Sequence, residues 1–166
     1  MPIDSQLDDK AFKSTLGSLA AGVSVITTLY KDEAIGITVS SFTSLSLHPP
    51  LILFCLDITS RHRAAFTPRK KFAVNILSQN QKPLAQLFAS AGKKSWEDVP
   101  YTENKNKVRL LKNSITSLSC TVAKVHKNGD HLIIVGKVED ITAVDKDAQP
   151  LLYFRRHYHA LGDTLV

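Results

Sequence analysis

The segment Ile35–Leu56, IGITVSSFTSLSLHPPLILFCL, carries a short apolar strand into a hydroxyl-crowded loop and then, past two prolines, into a second and continuously apolar strand. Thr38, Ser40, Ser41, Thr43, Ser44 and Ser46 place six hydroxyls in this stretch. Hydroxyls donate to phosphate oxygens, and short side chains let backbone N–H groups approach a bound group closely, so the loop reads as an anion site suited to a nucleotide. The same residue types also serve strand-to-turn junctions, where they hydrogen-bond neighbouring backbone. Loop composition alone leaves both readings open.

Outward from this loop the pattern is strand-rich. Upstream, Asp9–Ala20 is predicted as a helix with Phe12, Leu16, Leu19 and Ala20 on one face and Gly22 as the stop. The strand VSVITTLY follows, and the polar turn Lys31–Glu33 leads into Ala34–Val39, a hairpin whose second arm delivers the hydroxyl loop. Downstream, Leu51–Leu56 has the continuous apolarity of a central strand. A short helix is predicted around Arg61–Phe66, broken by Pro68, before the strand Lys71–Ile76. Ser78 reads as an N-cap for a helix that buries Leu84, Leu87 and Phe88 and ends at Gly92. Lys93–Asn113 lacks periodicity and is rich in charge, so it reads as a surface excursion placed to cover a site. Ser117–Val125, with Leu118, Cys120 and Val122 alternating inward, turns at Asn128–Gly129 into the strand His131–Val144. These elements make a mostly antiparallel sheet with few helices, and closure into a barrel is the expected way to remove its edges.

Composition narrows the class. A chain of 166 residues, 43% hydrophobic, is one domain in length and long enough to bury a core. No apolar run reaches the roughly 20 residues that span a bilayer, and MPIDSQLDDK lacks the basic-then-apolar order of a signal peptide, so the expected location is cytoplasmic with no membrane contact. Cys55 and Cys120 each lie in an apolar run and read as buried, reduced thiols. The net charge of +6 suits steering of anionic nucleotides toward a basic cleft. Nucleic acid is disfavoured as a partner, because the basic residues are not interleaved with aromatics for base stacking. His157 and His159 alternate onto one strand face, but two ligands do not make a metal site and none is assigned. There is no G-x-G-x-x-G fingerprint, so any pyridine nucleotide is held outside a Rossmann fold.

The pattern G-x-T-x-S-S-F-T-S-x-S-x-x-P-P, carried by Gly36, Thr38, Ser40 to Ser44, Ser46, Pro49 and Pro50, resembles the signature of the short-chain flavin reductase family. Two further segments resemble it in the expected order: Gly129, Asp130 and His131 opening GDHLIIVGKVED, and PLLYFRRHYHAL from Pro150 to Leu161. The resemblance covers nearly the whole chain, residues 1–166 as one domain. It implies a mainly β fold with flanking helices, a split β-barrel of Greek-key, FMN-binding type. It also implies a homodimer with flavin at or near the subunit interface. The implied activity is that of an NAD(P)H:flavin oxidoreductase, passing a hydride from NADH or NADPH to FMN or FAD and supplying reduced flavin to a partner monooxygenase. A non-catalytic flavin- or haem-binding split-barrel protein is the alternative, since one fold hosts unrelated functions.

By the same resemblance Thr38, Val39, Ser40, Ser41 and Ser46 wrap the flavin ring edge and ribityl chain. Thr59, Ser60 and Arg61 lie near the flavin phosphate. Lys93 and Lys94 approach that phosphate, or the adenylate if the flavin is FAD. His131, Arg156 and Tyr158 are placed against the pyridine nucleotide. No acid–base residue is assigned, because hydride transfer asks for the two ring systems to be positioned about 3–3.5 Å apart rather than for a proton carrier. The sequence departs from the family at His48, which stands where many relatives have aspartate before the paired prolines.

Overall fold

The computed structural model describes residues 8–164. Its elements are helices α1 (Asp9–Leu16) and α2 (Lys82–Ala89) and twelve strands. In chain order these are β1 (Ala21–Gly22), β2 (Ser24–Tyr30), β3 (Glu33–Val39), β4 (Thr43–Ser46), β5 (Leu51–Asp57) and β6 (Lys71–Ile76). They continue as β7 (Tyr101–Glu103), β8 (Arg109–Leu111), β9 (Thr116–Asn128), β10 (His131–Ile141), β11 (Leu151–Phe154) and β12 (His157–Ala160). A seven-stranded antiparallel sheet runs in the order β3-β2-β6-β9-β10-β5-β4, beside a three-stranded sheet β1-β11-β12 and the hairpin β7-β8.

The predicted hairpins form, with defined turn chemistry. Lys31 and Asp32 both take positive φ (51° and 61°), the paired left-handed conformation that matches strand twist, and Tyr30 pairs with Glu33 across it. Gly129, at φ 56°, makes the β9–β10 turn. Ser78 caps as read: Ser78 N donates to Gln81 Oε1 at 3.0 Å in a capping box that opens a 3-10 turn, and α2 follows.

β2 is buried on both faces, with Ile26 in one cluster and Val25 in another. In the first cluster Phe54, Phe66 and Phe72 meet edge to face at centroid separations of 5.4, 5.7 and 6.2 Å. Each such contact adds about 0.5–1.5 kcal/mol beyond the area buried. The second cluster seats α2 through Ala85 and Phe88 against Val23, Val25 and Leu77. Here β3 comes very close to the helix: a Cβ on Gly36 would stand 2.4 Å from the Phe88 ring.

A polar node ties the sheet to the β7–β8 hairpin. Fully buried Asn75 donates through Nδ2 to Val25 O (3.0 Å) and Thr27 Oγ1 (3.1 Å), and its Oδ1 accepts from Leu111 N (2.9 Å) and Ser117 Oγ (2.8 Å). Thr27 Oγ1 in turn donates to Arg109 O at 2.6 Å. With every polar atom of Asn75 partnered, the node fixes β8 against β2, β6 and β9.

Several expectations are corrected. α1 ends at Leu16 with Gly17 as its C-cap, short of Ala20 and Gly22, and Phe12, Leu16 and Leu19 are exposed. Residues 61–66 form only a 3-10 turn, Arg63–Ala65. α2 stops at Ala89, before Gly92, and β10 stops at Ile141, before Val144. Lys93–Asn113 is not merely a surface excursion: it holds β7 and β8 and buries Val99, Val108 and Leu111. β5 lies next to an edge, not at the sheet centre, and Cys55 on it is only half-buried, whereas Cys120 is buried. Among the described residues the ladder does not close into a barrel. β3 and β4 are its two edges, joined in sequence through Ser40, Ser41 and Phe42, and the open seam fits the split type. Ser41 secures that connection to β5, its Oγ accepting from Cys55 N at 2.9 Å.

Candidate functional site

The two ends of β3 face two different cavities. The first, of about 500 Å³, lies against Ala34, Ile35 and Gly36 and is walled by cationic side chains from three separate segments. Arg61 and His62 come from the turn after β5, Lys93 and Lys94 from the segment after α2, and Arg109 from β8. Tyr30 and Trp96 complete the wall, and among the described residues Glu33 is its single carboxylate.

Each cation is held differently. Lys93 pairs with Glu33 at 2.9 Å, and that hydrogen bond holds the Glu33 carboxyl below the usual carboxylate range. Lys94 Nζ caps the end of α2, donating to the Ser90 and Ala91 carbonyls and to Ser90 Oγ. Arg61 donates from Nε to His62 Nε2 at 3.0 Å and from its terminal nitrogen to Gly92 O. His62 is half-buried and its pKa is pushed down, first by burial and then by the charges of Arg61 and Lys94. Arg109 is held by aromatic faces: its guanidinium carbon sits 4.2 Å from the Tyr101 ring centroid and 4.7 Å from that of Trp96. Trp96 is itself fixed, packing on Phe88 at 4.8 Å and donating from Nε1 to Ala34 O at 3.2 Å.

The second cavity, of about 170 Å³, lies at the other end of β3 and is lined by Thr38, Val39 and Ser40 with Tyr153 and Tyr158. The two tyrosine rings stand 5.3 Å apart, and burial, followed by Tyr153, pushes the Tyr158 hydroxyl pKa up. Thr38 Oγ1 donates to Ala85 O at 2.7 Å, so its hydroxyl hydrogen anchors α2 to β3. Ser46 lies half-buried on β4 opposite Leu51.

The remaining sequence-predicted residues are dispersed. Thr59 closes the turn after β5, donating from N and Oγ1 to Asp57 Oδ1 at 2.7 Å each, which depresses the Asp57 pKa. Ser60 Oγ accepts from His62 N at 3.2 Å and so helps to place the imidazole. His131 opens β10 directly across from Asp57, with Nδ1 2.7 Å from Asp130 Oδ1. That contact holds the Asp130 carboxyl below its ordinary value. Arg156 lines a third cavity, of about 590 Å³, between α1 and the β11–β12 turn, and His131 lines none of these three cavities. His157 and His159 both lie on β12 and turn to backbone carbonyls, Arg155 O and Phe154 O.

Thus Arg61, Lys93 and Lys94 share one cavity, Thr38, Val39, Ser40 and Tyr158 share another, and His131 and Arg156 stand apart. Sequence reasoning missed His62, Trp96 and Arg109. The available signal was the chain's one tryptophan, set with Tyr101 and Arg109 inside an otherwise charge-rich stretch.

The model of the flavin reductase like domain matches residues 16–162, and the chain belongs to that family. Among curated proteins, it is 34% identical over 157 residues to the reductase subunit HsaB of a flavin-dependent monooxygenase from Mycobacterium tuberculosis, covering 94% of this chain and 84% of that one. It is 34% identical over 146 residues to the FMN reductase (NADH) SmoA of Agrobacterium fabrum, covering 88% and 82%. Among solved structures, the NADH:FAD oxidoreductase SgcE6 of Streptomyces globisporus, in complex with NAD and FAD fragments, superposes with a TM-score of 0.87 at 26% identity over 93% of each chain. Among the described residues no helix is long and apolar enough to cross a membrane.

Proposed function

We propose that this chain is an NAD(P)H:flavin oxidoreductase that reduces FMN or FAD and hands the product to a flavin-dependent monooxygenase. The observation that carries the reading is the convergence of Arg61, Lys93 and Lys94 on one cavity beside β3, within a chain of the flavin reductase family. That donor set fits a phosphorylated ligand: guanidinium and ammonium groups form short charge-assisted bonds with phosphate oxygens.

A bound flavin supplies the two-electron acceptor chemistry. The protein's part is positioning. Val39, Ser40 and Ser41 offer backbone and hydroxyl contacts to the ring edge and ribityl chain, with Thr38 and Ser46 at the flanks of the same loop. Thr59 and Ser60 order the turn that presents Arg61 to the phosphate. His131, Arg156 and Tyr158 take the pyridine nucleotide, with His131 at its nicotinamide end. No side chain is asked to move a proton in the hydride step, so the rate follows from alignment and exclusion of water.

The working form is a homodimer in the cytoplasm. The dispersion of His131, Arg156 and Tyr158 within one subunit supports a site shared between two, as do the exposed Phe12, Leu16 and Leu19 on and after α1. The relatives that are reductase components of two-component oxygenases support the monooxygenase partner.

The deciding experiment follows anaerobic oxidation of NADH and of NADPH with FMN and FAD in turn, against a no-flavin blank. Turnover that requires flavin is expected. No turnover with any of the four pairs, together with retained flavin, would overturn the enzyme reading. Light scattering on the same sample tests the dimer, and a monomer that turns over at full rate refutes the shared site.

A further inference from the structure

The cavity beside Gly36 is larger and more basic than a single flavin phosphate needs. Among the described residues, Arg61, Lys93, Lys94 and Arg109 bring four permanent cations to its wall against Glu33 alone. Arg61 and Lys94 spend donors on backbone carbonyls, and Lys93 is paired with Glu33. Arg109 differs. Among the described residues its guanidinium makes no hydrogen bond and no ion pair, yet it is clamped against Tyr101 and Trp96 and its backbone is pinned by Thr27.

An arginine held by aromatic faces keeps its planar fork oriented at little further entropy cost and leaves its edge donors for an anion. The half-buried Tyr30 ring and the segment Ala34–Gly36 offer the same space a surface for a flat heterocycle. About 500 Å³ falls within the range of small-molecule sites and exceeds what one phosphate fills. The demand is for a ligand that combines phosphates with an aromatic base.

We propose that Arg109 is a specificity-determining residue that reads an adenosine diphosphate group in this cavity and thereby selects FAD over FMN. The inference rests on the flavin reductase reading, in which the flavin leaves the hydroxyl loop and passes Arg61. FMN ends at its one phosphate; the second phosphate and the adenine that FAD adds are the groups that would meet Arg109 and Tyr30 on the same wall.

The test is equilibrium binding of FAD and of FMN to the full chain and to Arg109→Ala and Arg109→Lys, with ADP as competitor, alongside the KM for NADH with FMN as acceptor. Circular dichroism establishes that the variants fold. In the wild type FAD is expected to bind more tightly than FMN, and ADP to displace FAD. Arg109→Ala is expected to weaken FAD about 10–100-fold relative to FMN, the loss of a charge-assisted contact. Arg109→Lys is expected to fall between, keeping the charge without the fork.

Equal weakening of FAD and FMN, or failure of ADP to compete, overturns the proposal. A rise in KM for NADH with FAD affinity unchanged also overturns it and gives the adenosine diphosphate group to the pyridine nucleotide. Absence of any flavin-dependent turnover in the wild type defeats the enzyme reading itself. Normal turnover with an unaltered FAD-to-FMN ratio in Arg109→Ala defeats only this inference.

Discussion

Replacing Asn75 by alanine tests whether the buried polar node holds β8, and with it Arg109, in place. The side chain makes four hydrogen bonds, at 2.8, 2.9, 3.0 and 3.1 Å, all within the buried interior. Thr27 keeps its bond to Arg109 O, and the Ser117 hydroxyl is free to rotate toward another acceptor, so those partners recover part of the loss. Leu111 N–H does not. It is left buried and unpaired, at about 1–3 kcal/mol, and a small cavity adds about 1 kcal/mol. The expected total is about 2–4 kcal/mol, or a fall in Tm of about 5–12 °C for a chain of this length. Urea denaturation at fixed protein concentration reads the shift as a lower midpoint with unchanged slope. Amide exchange gives the local reading: Leu111 N–H should exchange much faster, whereas β9–β10 amides should follow only the global change. A loss below about 1 kcal/mol, or retained protection at Leu111, would refute the node as the anchor of β8. If the node positions Arg109, the same variant should also lose discrimination between FAD and FMN.

Three other outcomes follow from the geometry. Gly36→Ala drives a Cβ to within 2.4 Å of a Phe88 ring already packed on Trp96, so a cost of about 1–3 kcal/mol and a displaced α2 are expected, measurable by thermal melts. His62 has a folded pKa below 6.5, so its contribution to stability is complete above pH 6.5 and is lost as pH falls through the folded value. A bound phosphate among Arg61, Lys94 and His62 opposes that depression, so ADP affinity should rise over the same falling pH range, and His62→Gln should flatten the rise. Glu139 is held low, chiefly by the Lys71 hydrogen bond and then by Thr121, so its stabilisation is present above the unfolded carboxylate pKa and lost as pH falls through the depressed one. Glu139→Gln should therefore shrink the acid limb of a stability–pH curve and leave its neutral plateau lowered.

Much of the sheet was legible because its strands obey local rules. Ser117–Val125 alternates, Leu51–Leu56 is uniformly apolar, and short turns close the hairpins: Lys31–Asp32 between β2 and β3, and Gly129–Asp130 between β9 and β10, one residue past the expected Asn128–Gly129. Ser78 was legible as an N-cap, and the structure adds Gln81 as its capping-box partner. What failed was whatever depends on contacts distant in sequence. The stripe Phe12, Leu16, Leu19 has helical spacing, but periodicity does not say what lies opposite, and these residues are exposed. Lys93–Asn113 looked structureless because Val99, Val108 and Leu111 are irregularly spaced; Val99 and Leu111 pack into the cluster under α2, and β8 is tied down by Asn75 and Thr27 on other strands.

The candidate site divides in the same way. Arg61, Lys93 and Lys94, which line the basic cavity together, were singled out by the family resemblance at positions just after β5 and α2. Arg109 was not, because its distinguishing property is an aromatic clamp assembled from two strands and a loop. The hydroxyl loop is also partly structural: Thr38 and Ser41, which the family resemblance implies as ligand contacts, bond to Ala85 and Cys55.

The chain has one tryptophan, and Trp96 stands at the wall of the basic cavity between Phe88 and Arg109. Its indole emission therefore comes from a single, known place. Isoalloxazine absorbs where indole emits, so a flavin arriving near this wall drains that light by energy transfer, while release of β8 exposes the ring to water and shifts the emission to the red. The protein thus carries an unlabelled optical reporter in which occupancy dims the signal and loosening recolours it, and the two can be told apart in one spectrum.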